Sequence, residues 1–137
     1  MKITYKYSST KSFSIGFAVL IFIGFLLTLA RWYSVFNNDF VIINSEIHSH
    51  ISNLSLSLIA YLGIGYSWLL LDVKFRFIAI LGMAMIAGNF ICETLMGFMN
   101  TPDIIDAIYG TMGIVVAFLF LAITKKYGLM PTNPEKL

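Results

Sequence analysis

The chain has 137 residues, of which 58% are hydrophobic and 12% charged, with a net charge of +2 and a mean hydropathy of +0.84. Soluble domains carry about 25% charged and 45 to 50% apolar residues, so this composition excludes an ordinary soluble domain and predicts an integral membrane protein. The single cysteine, Cys92, excludes an intrachain disulfide framework and a thiolate metal cluster; it is expected to be a small packing residue.

A helix needs roughly 20 largely apolar residues to cross a bilayer, and the intervals between charges supply four, at about residues 13–30, 51–71, 77–99 and 102–124. The expected fold is therefore all-α: one transmembrane domain over 1–137, a four-helix bundle. The first interval follows lysines, as in a signal peptide, but its apolar run exceeds the usual length of about 7 to 15 residues, so a retained span is expected. On one of its faces Gly16, Leu20, Gly24 and Thr28 recur at fourfold spacing. Such small residues make a groove for another helix, within the bundle or between subunits.

The loop from Arg31 to His50 opens with Trp32 and Tyr33, aromatic residues of the kind that anchor at headgroup level. Glu46, His48 and His50 follow. On an extended chain the two histidines point the same way and can hold a divalent ion with Glu46; on a helix they diverge, and Asn44 or Ser45 caps a span that starts before them. A metal site, a pH-sensitive patch and an ordinary polar loop all fit, and the expectation is the polar loop, with no metal and no cofactor. Ser45, Ser49, Ser52, Asn53, Ser55 and Ser57 make the start of the second span polar, which reads as hydrogen-bonding glue between helices.

The short loop around Asp72, Lys74 and Arg76 is a candidate docking site for a cytoplasmic partner. In the third span Gly82, Met85, Asn89, Glu93 and Met96 share a face. The turn Asn100-Thr101-Pro102-Asp103 has the pattern of a helix start, with Thr101 as the expected cap, Pro102 next and Asp103 in the first turn. Along the fourth span Asp106, Tyr109, Gly110, Gly113 and Ala117 form a stripe that is small beyond its first residues. Gly110, Gly113 and Ala117 predict close helix packing. Asn89, Glu93, Asp106 and Tyr109 then make a polar pocket above it, with Glu93 and Asp106 at the same level of the hairpin. The tail from Met130 reads as a short disordered end.

Lys2, Lys6, Lys11, Lys74, Arg76, Lys125, Lys126 and Lys136 fall on one side of the spans and Arg31 alone on the other. Positively charged loops stay cytoplasmic, so both termini are expected inside, in what reads as a bacterial inner membrane.

The order Glu93, Pro102, Asp103-Ile-Ile-Asp106, Gly113, Ala117 resembles the last two spans of VanZ-like small membrane proteins. It departs from that pattern in having no arginine in the turn, and in Gly110 and Met96 where the family has polar residues. The resemblance implies an envelope or lipid-handling role, such as altered susceptibility to glycopeptide-type compounds.

No di-iron ligand set, phosphate loop or nucleophile triad is present, so the sequence predicts a protein that is not an enzyme. It reads as a membrane-embedded sensor or scaffold subunit of a homo-oligomer. Its expected contacts are membrane lipids and a cytoplasmic partner, without nucleic acid. The alternatives are the VanZ-like role, and a small ion or proton channel or a phage-defence or immunity component.

Overall fold

Charged residues interrupt the apolar stretches, and the helices follow those interruptions. The computed structural model describes residues 5–37, 39–95 and 102–132. Its helices are α1 Lys11–Tyr33, α2 Ser45–Leu70, α3 Phe75–Leu95 and α4 Ile104–Tyr127. At 1.5 Å per residue these lengths span about 31 to 39 Å, enough for the roughly 30 Å of hydrocarbon, and all four are apolar enough to cross a membrane. Two short strands, β1 Tyr7–Ser9 and β2 Leu129–Pro131, pair antiparallel with Ser8 opposite Met130.

The ends of the helices follow capping chemistry. Asn44 starts α2, its side-chain oxygen accepting from Ile47 N at 2.8 Å, so the second helix begins six residues before the expected position and carries His48 and His50 within it. Asp103 is the cap of α4 and accepts from Ile105 N at 3.0 Å. The expected assignment put Asp103 inside the first turn; Thr101, the expected cap, lies outside the described residues, as do Met96 and the end of the third span. Lys125 and Lys126 occupy the last turn of α4, where cations suit the helix dipole. The tail expected to be disordered is instead held at its start: β2 pairs with β1, and Thr132 N donates to Lys6 O at 2.9 Å.

The helices alternate in direction, so α2 and α4 run parallel, both starting at the end of the bundle where α1 and α3 finish. We call this the loop end, and the opposite one, with β1, β2 and the α2–α3 turn, the strand end. The largest interface joins α2 and α4, while α1 leans on α2 and α3 chiefly on α4. The core is correspondingly central: Leu58, Tyr61, Leu62, Tyr66 and Leu69 of α2 meet Ile114, Ala117 and Leu121 of α4, with Ile78 of α3. Outside it, apolar side chains such as Phe22, Leu29, Ile80, Met83, Leu119 and Ile123 face outward. Soluble monomers rarely expose so continuous an apolar belt, whereas hydrocarbon matches it.

Small residues set the closeness of the central pair. A Cβ on Gly113 would lie 3.0 Å from Leu58 N and 3.1 Å from Leu54 C, and closer still to Leu54 O, so the two backbones touch there and only hydrogen fits. Gly24 packs within the chain against Ile59 of α2, and Gly16 faces Phe120 of α4, which assigns the α1 groove to the protomer itself. Cys92, expected to be packed, is exposed on α3.

Candidate functional site

Starting α2 at Asn44 places His50 six residues into the helix, and starting α4 after Asp103 places Asp106 three residues in. Because the two helices are parallel neighbours, these side chains meet. His50 Nδ1 lies 2.7 Å from Asp106 Oδ1 and 3.7 Å from Asp103 Oδ2. The histidine is buried and the aspartates are partly exposed, so the cluster sits at the mouth of the loop end. The Tyr109 ring packs at 5.4 Å from the imidazole, fixing one side of it.

Asp103 serves twice: one oxygen caps α4 through Ile105 N while the other faces His50. A carboxylate held by a backbone N–H is oriented before any partner arrives. Ligand atoms of His50, Asp103 and Asp106 all lie within 4.8 Å of one another, the one such group of three among the described residues.

This arrangement revises the expected pocket. The partner the structure gives Asp106 is His50; Glu93 is half-buried on α3 and stands outside the converging group. Asn89 lies deeper, where Nδ2 donates to Ser57 Oγ at 3.4 Å above Gly110, whose added Cβ would come 3.1 Å from both Asn89 Cγ and Ser57 Oγ. Gly110, Gly113 and Ala117 are buried on the face that carries Asp106. The serines divide their work: Ser57 reaches α3, and Ser55 hydrogen-bonds Thr28 of α1 at 2.8 Å.

The loop trio does not assemble. Glu46 is exposed in the first turn of α2, and His48 turns back to accept Ile42 N at 3.1 Å, away from His50 as helical divergence requires. At the strand end, Asp72 is paired with Lys6 at 3.1 Å, Arg76 lies 4.9 Å over the Phe77 ring and Lys74 is exposed. The α2–α3 turn is thus tied to the N-terminal segment, also through Lys6 N donating to Leu70 O at 3.0 Å.

Sequence reasoning missed the meeting of His50 with Asp103 and Asp106. The signal was available: the second and fourth spans run in the same direction, so residues just inside their starts lie at one level. Fold and site together define an all-α bundle of four membrane-length helices with a histidine–carboxylate cluster where α2 and α4 begin. Comparison of the chain with protein-family models, with curated proteins and with solved structures gives no match.

Proposed function

We propose that the chain is a non-catalytic subunit of a homo-oligomer in a bacterial inner membrane, acting as a sensor or scaffold that couples the envelope side to a cytoplasmic partner. The observation that carries this reading is that the parallel α2–α4 pair is bound differently at its two ends. At the loop end the link is between side chains, His50 with Asp106 and Asp103. At the strand end Ser9 hydrogen-bonds Tyr66 of α2, and α4 leads within two residues into β2. A change in this histidine–carboxylate link alters the separation of two stiff helices, and the strand pair lies at their far end. Among the described residues, Lys6, Lys11, Lys74, Arg76, Lys125 and Lys126 on the strand side against Arg31 on the other support an outward cluster and cytoplasmic strands.

Among the described residues the space between α2 and α4 is filled by Leu58, Tyr61, Leu62, Ile114, Ala117 and Leu121, which weighs against a pore through one protomer. Assembly is supported by α3, where Ala84 and Ala87 are exposed and Gly88 has nothing within 4 Å of a built Cβ, leaving room for a close helix contact. A second reading, the lipid-handling role that the VanZ-like resemblance implies, is favoured by an apolar recess of about 310 Å³ between Phe90 of α3 and Ile108, Met112 and Val116 of α4, wide enough for part of an acyl chain.

The test uses cysteines at Ser8 and Met130, opposite each other in the strand pair, in a Cys92→Ser chain in native membranes. With His50→Ala the rate of disulfide cross-linking should change several-fold, while native mass spectrometry should show a defined oligomer. An unchanged rate removes the coupling, and a monomer that retains a specific lipid favours the lipid-handling role.

A further inference from the structure

We propose that His50, Asp103 and Asp106 form a site for a divalent transition cation, with zinc as the best fit. The inference names the ligand of the cluster used as input above; its biological use rests on that reading, but the binding itself does not.

The first argument is geometric. Zinc binds nitrogen and carboxylate oxygen at about 2.0 to 2.2 Å in a tetrahedron, so its ligand atoms stand about 3.3 Å apart. The separations of His50 Nδ1 from Asp106 Oδ1 and Asp103 Oδ2, 2.7 and 3.7 Å, bracket that value, and the three ligand atoms all lie within 4.8 Å of one another. Asp103 is already oriented by its bond from Ile105 N, and the imidazole by the Tyr109 ring.

The second argument is charge. Asp103 and Asp106 bring two carboxylates to one imidazole. His50 is the only salt-bridge partner of either aspartate among the described residues. Arg31, the single Lys or Arg on this side among the described residues, gives its guanidinium to Ser34 Oγ at 3.0 Å. A dication matches two carboxylates that no described Lys or Arg pairs with. The donor set then selects the ion: imidazole favours zinc and its transition-metal neighbours, where calcium and magnesium take oxygen alone. Three protein ligands leave one position open, unlike the closed four-ligand set of structural zinc sites.

The experiment titrates chelator-washed full-length protein, in nanodiscs, with Zn²⁺ by calorimetry and with Co²⁺ by visible absorption. One ion per chain is expected, with the intense bands of four-coordinate cobalt. Asp103→Asn should weaken binding about tenfold or more, although asparagine still caps α4, so unchanged helicity and elution show that the fold survives; His50→Ala should abolish binding. No stoichiometric uptake, or equal uptake by both variants, overturns the inference and leaves a plain histidine–carboxylate contact. The two readings fail separately: a strand pair that responds to His50→Ala without zinc binding refutes the cation, and zinc binding with an unresponsive strand pair refutes the coupling.

Discussion

Replacing Gly113 with alanine adds one methyl group at the closest point of the α2–α4 interface. The built Cβ stands 3.0 Å from Leu58 N and 3.1 Å from Leu54 C, where carbon contacts relax to about 3.5 to 4.0 Å. Every atom met is backbone, with no rotamer to change, and Leu54 O is met closest of all, so the helices themselves must part by about 1 Å. A gap of 0.5 to 1 Å forfeits about a quarter to a half of the dispersion attraction of the atoms lining it. Overpacking of this kind costs about 1 to 3 kcal/mol, and the rigid surroundings place Gly113→Ala near the upper value. Alanine also gains about 1 kcal/mol over glycine in helix propensity, leaving a net loss of about 2 kcal/mol. Gly63, within α2, has nothing within 4 Å of its built Cβ, so Gly63→Ala should stabilise by up to about 1 kcal/mol. The pair therefore differs by about 3 kcal/mol for one chemical change. Unfolding followed by circular dichroism in mixed micelles reads both midpoints on one scale. Equal midpoints, or a more stable Gly113→Ala, would refute backbone contact as what sets the α2–α4 distance. The parting should also weaken zinc uptake, since His50 and Asp106 stand on the two helices that separate.

Ile43 has φ 61° and is 84% exposed, a left-handed conformation that a β-branched residue adopts at a cost; Ile43→Gly should raise stability by about 1 kcal/mol, read by the same unfolding assay. The Lys6–Asp72 pair has both ends largely in solvent, so Lys6→Ala should change stability by less than about 0.5 kcal/mol, and strand cross-linking should persist because Lys6 N still donates to Leu70 O. The buried Tyr61 hydroxyl donates to Ile78 O at 2.8 Å; Tyr61→Phe should cost about 1 kcal/mol, measured against wild type under identical conditions.

The four helices were legible because a membrane leaves the backbone few choices. Every peptide group within hydrocarbon must bond inside the chain, so an apolar interval between charges becomes a helix, whatever its neighbours. The stripe of Gly110, Gly113 and Ala117 was legible for a related reason: small residues at helical spacing mark a close contact. A stripe does not say which helix fills it. Sequential elements usually pack side by side, and that habit assigned α4 to α3 and set Glu93 opposite Asp106; the deeper interface is with α2. The three-residue strands had no periodicity to reveal them.

What decides the site is therefore the parallel contact, since only a parallel pair brings two helix starts to one level. At such an end the backbone N–H groups of both helices are without intrahelical partners, and acids gather there to satisfy them, as Asp103 does for Ile105. A histidine one turn inside the neighbouring helix then faces carboxylates that are present for capping and for the dipole. Asp103 shows that the two roles are compatible: the oxygen that caps α4 leaves the other free for His50. The charge that starts the helix is thus the charge offered to a cation, and Asp103→Asn, which keeps the cap and removes the charge, separates the two.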